Sequence, residues 1–211
     1  MIKTKEIISI ILAIIVGAFV ISFTNINKYP ITLLIVASVI LINIIVKQIA
    51  AYYYFDANIE TKIWQFQRYG YYKRSYLKNP FPIGIVLPFI LTLITYGGIS
   101  MFPWLALLQF DITASGARVS KRHGLYRFSE LTERHIGSIA KCGIIANLIA
   151  VVIGYLLNFP EFARINLFYA FFNLLPLGNL DGTKIFFGGR VSWAILASIC
   201  IMLLGYSFII I

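Results

Sequence analysis

Long apolar stretches constrain the fold of this chain more than any other feature. Sixty per cent of its 211 residues are hydrophobic and 12% are charged, a balance that argues against a water-soluble domain. A helix needs about 20 apolar residues to cross a bilayer. We therefore predict an all-α, multi-pass protein that forms a single integral membrane domain over residues 1–211. The five predicted spans are Ile7–Phe23, Ile31–Ala51, Ile136–Leu157, Phe162–Leu180 and Val191–Ile211.

A sixth apolar stretch, Phe81–Phe110, is interrupted by three prolines and by Gly97-Gly98. It either crosses the membrane once or enters and leaves on one side as a re-entrant hairpin. A single crossing divides the Lys and Arg residues of the loops almost evenly between the two sides. The re-entrant arrangement leaves only Lys28 and Arg164 on the side opposite the N-terminus. The positive-inside rule therefore favours this hairpin, in a cell-membrane protein whose N-terminus and basic loops are cytoplasmic.

Tyr52–Asn79, between the second span and this hairpin, is polar and rich in Tyr. Its residues alternate around Trp64, Phe66 and Arg68, and Gly70 can turn the chain, which predicts a small interfacial β-hairpin. The net charge of +10 fits cytoplasmic loops and anionic lipid headgroups. We expect the lipid bilayer as a partner and no nucleic acid, because no basic run belongs to a soluble fold.

Asp181 is a carboxylate at the mouth of an apolar helix. An isolated acid costs about 2.5–3.5 kcal/mol at the centre of a bilayer, so Asp181 is expected to have a partner. The predicted topology brings the C-terminal ends of the second and fourth predicted spans, Ile31–Ala51 and Phe162–Leu180, to one membrane face. Lys47 then lies level with Asp181, and the two can form an ion pair. Alternatively, Lys47 extends to the headgroups, and Asp181 meets water or backbone N–H groups.

The residues around Asp181 form a specific motif. Asn173-x-x-Pro176-x-x-x-Leu180-Asp181-Gly182 resembles the N-x-x-P-x-x-x-L-D-G motif of the site-2 protease family, the intramembrane zinc metalloproteases, and archaeal members in particular. Gly143-Ile-Ile-Ala-Asn147 is similar to the family's G-P-x-x-N helix. The resemblance covers about residues 31–190 and implies a site-2 protease-like core. It also implies that Asn147, Asn173, Pro176 and Asp181 line a substrate-binding groove. For the two asparagines, hydrogen bonding between helices is an equal alternative, and Pro176 is expected to kink its helix.

The zinc-binding motif of that family is missing. Family members carry His-Glu-x-x-His on the first core helix, where two His bind zinc and the Glu is the general base. The corresponding residues here are Lys47, Gln48 and Ala51, and a Gln amide takes no proton near neutral pH. The two His residues, His123 and His135, do not form an H-x-x-x-H pair. The resemblance thus implies no intact catalytic residue and no zinc, with Asp181 the only retained ligand position. If Lys47 pairs with Asp181, its ammonium replaces the charge of the metal.

These observations leave three functions open. The leading one is a non-catalytic, site-2 protease-like membrane protein, a pseudoprotease in regulated intramembrane proteolysis. It would bind or regulate transmembrane helices of other proteins through the degenerate groove and a nearby exposed strand. The first alternative is an active intramembrane zinc metalloprotease with unusual ligands. The second is a membrane transport or structural component, although the sequence shows no repeat between its halves of the kind many transporters have.

Overall fold

The protein is mostly helical in a computed structural model that describes residues 4–68, 76–95, 103–115 and 131–210. A 3₁₀ turn, Ile26–Lys28, precedes the second helix. The helices and strands, in chain order, are α1 (Thr4–Ser22), α2 (Tyr29–Phe55), β1 (Ala57–Ile63), β2 (Phe66–Arg68), β3 (Tyr76–Phe81), α3 (Ile83–Ile94), β4 (Leu108–Ala114), α4 (Glu133–Leu156), α5 (Pro160–Leu174), α6 (Asp181–Gly188) and α7 (Arg190–Ile210).

Four helical segments are long and apolar enough to cross a membrane. They have 18 to 30 residues, and a rise of about 1.5 Å per residue makes each of them roughly 27 Å long or more. Many Ile and Leu side chains on their outer faces are exposed, as lipid-facing side chains would be. The class of membrane protein is consistent with the prediction, although five spans were expected. The four segments are Thr4–Ser22, Ile26–Phe55, Glu133–Leu156 and Arg190–Ser207.

The predicted span Phe162–Leu180 is wrong as one continuous helix. Helix α5 ends at Leu174 after 15 residues, and Leu175 is extended. A residue before proline avoids the helical conformation, and Pro176 has no N–H to continue the helix. The Leu177 N–H donates to the Leu175 carbonyl across Pro176 at 2.8 Å, which makes a tight turn. Pro176 therefore ends α5 instead of kinking it, and Asp181 begins a new helix.

In the described part of the predicted hairpin Phe81–Phe110, a helix comes first and an extended segment comes last. Helix α3 has 12 residues, roughly 18 Å, which is too short to cross a bilayer. The Trp64 carbonyl accepts from the Gly84 N–H, and the Trp64 N–H donates to the Leu107 carbonyl, each at 2.9 Å. Residues near both ends of the stretch thus lie beside Trp64. A re-entrant segment, which enters and leaves the membrane on one side, requires such an arrangement. Its expected tip, Gly97-Gly98, lies outside the described residues.

Two small antiparallel sheets lie in the aromatic region after α2. Strands β2 and β3 pair with Phe66 opposite Phe81, which matches the predicted β-hairpin, although its expected turn at Gly70 lies outside the described residues. Strands β1 and β4 pair with Thr61 opposite Phe110, a pairing that the sequence did not predict. The β1–β4 sheet brings a segment from the sixth apolar stretch against the end of α2.

Candidate functional site

The buried centre of the protein contains an ion pair between α2 and α6. The Lys47 ammonium contacts Oδ2 of Asp181, and the two side chains are 8% and 1% exposed. Lys47 lies about two turns before the end of α2, and Asp181 is the first residue of α6. The positive end of the α6 dipole favours a carboxylate there. Of the two alternatives that the sequence left open, the structure has the ion pair, and Lys47 does not extend to the surface.

Lys184 is a second cation at this pair, and the sequence analysis missed it. Its ammonium donates to the main-chain carbonyl of Phe110 and lies 3.6 Å from the centre of the Phe110 ring. The Lys47 ammonium lies 4.7 Å from the same ring centre. Lys184 follows Asp181 by three positions in a helix, so their shared face was readable from the sequence. Burial lowers the pKa of Lys184 to about 8, against the opposing effect of the Asp181 charge.

Two motif glycines permit close approach of the chain around the ion pair. A methyl group at Gly143 on α4 would lie 2.9 Å from Cγ of Lys47 and 3.0 Å from Nδ2 of Asn43. A methyl group at Gly182 would lie 2.6 Å from the Leu175 carbonyl oxygen. The glycine of G-x-x-x-N therefore leaves room for the lysine side chain, and the glycine of L-D-G lets α6 begin against the end of α5.

The predicted groove asparagines make hydrogen bonds in the interior. Asn147 accepts from Nδ2 of Asn43 at 2.9 Å and donates to Oδ1 of Asn166 at 3.1 Å, so it joins α2, α4 and α5. Asn173 donates to the Tyr169 carbonyl of its own helix at 2.8 Å. Both predicted asparagines are almost completely buried. The structure thus shows Asn147 in the interhelical bonding that was the alternative to a groove position.

The other two degenerate positions lie on α2 near Lys47. Ala51 is completely buried one turn after Lys47, at the spacing of the second histidine in the resembled motif. Gln48 is half-buried, and consecutive helix residues point about 100° apart, so Gln48 belongs to a different face from Lys47. The structure places Lys47 but not Gln48 at the Asp181 carboxylate.

The residues present do not fit a zinc ion at Asp181. One carboxylate oxygen already meets an ammonium, and the second lysine lies close to the same carboxylate. Within the described ranges, no group of three His, Cys, Asp or Glu side chains could hold a metal ion. His135, near the start of α4, packs against Phe55 at the end of α2 with tilted rings and 5.3 Å between the ring centres, and His123 lies outside these ranges. Zinc sites need three or four such ligands, and two cations would repel the metal.

The space beside the ion pair is almost closed. A cavity of about 10 Å³ lies there, enough for one water molecule at most. Its walls come from α2, α5 and the β1–β4 sheet and include Asn43, Lys47, Thr61, Phe110 and Tyr169. The β1–β4 sheet contributes much of the wall, and none of the four predicted groove residues, Asn147, Asn173, Pro176 and Asp181, lines this cavity.

Charged side chains cap both edges of the β1–β4 sheet at its midpoint. The Thr61 N–H points away from β4 and donates to the carboxylate of Glu6 on α1 at 3.0 Å. Directly across the sheet, the Phe110 carbonyl points away from β1 and accepts from Lys184. Free strand edges pair readily with another chain, and charged groups are one means of preventing it. A strand was expected to be exposed here for β-augmentation, but both edges are occupied at this register position.

Comparison with known proteins adds no relative to this description. No protein-family model, no curated protein and no solved structure matches the chain. We therefore argue its function from the buried ion pair, the sheet that covers it and the motif glycines.

Proposed function

We propose that this chain is a non-catalytic membrane protein of the site-2 protease type, which binds transmembrane segments of other proteins. The observation that carries the proposal is the Lys47 ammonium on the Asp181 carboxylate, at the position where the resembled family binds zinc. The motif glycines Gly143 and Gly182 pack tightly around that pair, which supports a scaffold of the same kind. In this proposal the protein retains the scaffold and has replaced the metal's charge by a side chain.

The chemistry of the pair supports binding without hydrolysis. Peptide hydrolysis by a zinc enzyme needs a metal-bound water and a general base close to it. The Lys47 ammonium occupies the Asp181 carboxylate, Lys184 lies one helical turn after Asp181, and Gln48 supplies no base. The Lys47 ammonium gives the buried Asp181 carboxylate a partner of opposite charge. The bundle then stays folded without a metal.

A bound segment would enter beside the β1–β4 sheet. The cavity of about 10 Å³ is too small for a peptide, so the sheet or α1 must move before a segment can bind. An extended segment would compete with Glu6 for the Thr61 N–H, which is the outward-facing donor of β1. By holding such segments, the protein would regulate intramembrane proteolysis through competition with an active protease for its substrates.

We propose, further, that the end of the molecule holding Lys47 and Asp181 faces the cytoplasm. Lys28 and Glu161 form an ion pair at the opposite end, and Arg164 lines the same cavity. Lys28 and Arg164, the two basic residues expected on the side opposite the N-terminus, therefore lie together. Single cysteines at Thr4 and at Asn25 test the orientation in a Cys142→Ala, Cys200→Ala background. A membrane-impermeant maleimide should label position 25 in intact cells, and labelling of position 4 instead would reverse the orientation.

Zinc content and proteolysis separate the proposal from its first alternative. The purified protein is analysed for bound metal and incubated with a fluorogenic transmembrane substrate, beside an Asp181→Ala variant. We expect less than about one-tenth equivalent of zinc and the same background cleavage from both proteins. Stoichiometric zinc, or cleavage that Asp181→Ala abolishes, would establish an active metalloprotease.

Site-specific crosslinking tests the binding of a segment. A photoreactive residue replaces Ile59, which lines the small cavity, or Ile153, which is 47% exposed on α4. The probe is a synthetic transmembrane peptide with a Gly-Pro centre, reconstituted with the protein in vesicles. We expect capture at position 59 to exceed capture at position 153 and to rise further in Glu6→Ala, which uncaps β1. Equal capture at the two positions would mean that the groove region is not used and would favour a structural or transport role.

A further inference from the structure

A polar cavity lies at the end of the molecule opposite the Lys47–Asp181 pair. It has a volume of about 340 Å³ and lies between the turn that joins α1 to α2 and the first turns of α5. Ser22, Thr24 and Asn25 line it from the turn, and Lys28, Glu161 and Arg164 supply its charged groups. The turn connects two segments that are long and apolar enough to cross a bilayer, so it lies at the depth of lipid headgroups.

The charged groups of this cavity leave a net positive charge. Lys28 Nζ lies 3.1 Å from Oε1 of Glu161, and both side chains are 60% exposed. An ion pair this exposed is weak, so the Lys28 ammonium can exchange the carboxylate for another anion at little cost. Arg164 adds a second cation, whose guanidinium lies 5.5 Å from the centre of the Phe168 ring. Two cations and one carboxylate favour an anionic group, and a guanidinium is well suited to phosphate.

An apolar cavity adjoins the polar one. Its volume is about 660 Å³, and Ser22 and Thr24 line both cavities. The remaining walls are largely aromatic and aliphatic and come from Phe19, Phe23, Ile26 and Tyr29. A cationic polar cavity beside an apolar one at headgroup depth matches a molecule with an anionic head and a hydrocarbon chain. A soluble phosphate would fill only the first cavity.

We propose that these two cavities together bind one anionic phospholipid. Its phosphate lies between Lys28 and Arg164, and one acyl chain lies against Phe23 and Ile26. Glu161 competes with the phosphate for the Lys28 ammonium and so weakens binding. The bound lipid would join the α1–α2 turn to α5, at the end of the bundle away from the buried ion pair. This inference concerns a different end of the molecule from the proposed function and does not depend on it.

Native mass spectrometry of the detergent-purified protein tests the proposal. The probes are phosphatidylglycerol, phosphatidylcholine with the same acyl chains, and glycerol 3-phosphate, titrated separately. We expect phosphatidylglycerol to bind about 5-fold or more tighter than phosphatidylcholine, because one basic residue near a membrane surface contributes about that much. Equal affinity for the two lipids would overturn the proposal. Binding of glycerol 3-phosphate as tight as that of phosphatidylglycerol would instead show a site for soluble phosphates.

Three charge variants make the test independent of folding defects. Lys28→Gln and Arg164→Gln should each weaken phosphatidylglycerol binding about 5-fold, whereas Glu161→Gln should strengthen it. If Lys28 only holds Glu161 in place and does not contact the lipid, Lys28→Gln and Glu161→Gln should change lipid binding in the same direction. That result would contradict the proposal. Lys62→Gln removes the same charge from β1, away from the cavity, and should leave binding unchanged. Phe23→Ser should weaken both lipids and leave glycerol 3-phosphate unaffected.

Discussion

One lysine, Lys28, immediately precedes helix α2, and another, Lys47, lies about two turns before its end; each pairs with an acid on a later helix. Lys47 meets Asp181, and Lys28 meets Glu161 at 3.1 Å. The side chains of the first pair are 8% and 1% exposed, whereas those of the second pair are both 60% exposed. The same two functional groups are therefore held in two very different environments along one helix.

The difference in burial sets what each pair can do. At Lys47–Asp181 neither group can reach water, so loss of one partner leaves an uncompensated charge in the interior. At Lys28–Glu161 water solvates whichever group loses its partner, and the pair is free to exchange with other ions. We infer that the buried pair serves the integrity of the bundle and the exposed pair serves recognition. The following predictions test that division, beginning with the largest effect.

Removal of Lys47 should give the largest loss of stability. Lys47→Ala removes the one ammonium in direct contact with Asp181 among the described residues, and we expect the free energy of unfolding to fall by about 3–5 kcal/mol. The double variant Lys47→Ala, Asp181→Asn removes both charges and should regain much of that loss. Unfolding of the purified protein by increasing SDS in mixed micelles measures all three. If the losses of the two single variants simply add, the two side chains are not coupled.

Crowding the buried lysine should have the next largest effect. A methyl group at Gly143 would lie 2.9 Å from Cγ of Lys47, so Gly143→Ala must displace that side chain. We expect a loss of about 1–3 kcal/mol, typical of an overpacked interior. The control is Gly205→Ala on α7, where a methyl group meets no atom within 4 Å. That variant should be neutral or up to about 1 kcal/mol more stable, because alanine favours a helix. Equal effects at the two glycines would show that Gly143 does not make room for Lys47.

The second buried lysine should make stability depend on pH. Burial lowers the pKa of Lys184 to about 8, from 10.5 for a free lysine. The unfolded state therefore binds more protons than the folded state between these values, and stability rises with pH from about 8 to 10.5. The charges of Lys47, Asp181 and Asp111 also act on the Lys184 ammonium. The contribution of Lys184 itself is therefore measured as the difference between the wild type and a variant without this lysine. Relative to Lys184→Met, the wild type should gain on the order of 2–3 kcal/mol over this range, since one pKa unit corresponds to about 1.4 kcal/mol. Parallel pH profiles would contradict the buried charge.

Residues whose positions follow from local rules were predictable. The membrane class followed from the apolar stretches, and the common membrane face of Lys47 and Asp181 followed from the charges of the loops. Pro176 illustrates a local rule that was applied incompletely. A proline can kink a helix or end it. Here Leu175 is extended and a tight turn joins Leu175 to Leu177, so the helix ends before Pro176.

The contacts that close the site depend on pairing between distant segments. Strand β4 belongs to an apolar, proline-interrupted stretch whose sequence predicts a membrane hairpin. It pairs with β1, which lies about 50 residues earlier in the chain. Such pairing leaves no periodic signal in either segment alone. Glu6 and Lys184 have their roles only because this sheet exists, since each caps one of its edges. The sequence thus placed Lys47 and Asp181 at one membrane face, with an ion pair as one of two alternatives, and it did not predict the sheet beside them.

Removal of Lys28 should give the smallest effect and completes the comparison. Lys28→Ala breaks an exposed pair, and we expect the free energy of unfolding to fall by less than about 1 kcal/mol in the same micelles. Raising the ionic strength should remove even that difference, since salt screens exposed charges over about 10 Å at 0.1 M. The loss from Lys47→Ala should be nearly independent of salt, because buried pairs are screened much less. If Lys28→Ala costs as much as Lys47→Ala, burial is not what separates the two ends of α2, and the bundle depends equally on both ion pairs.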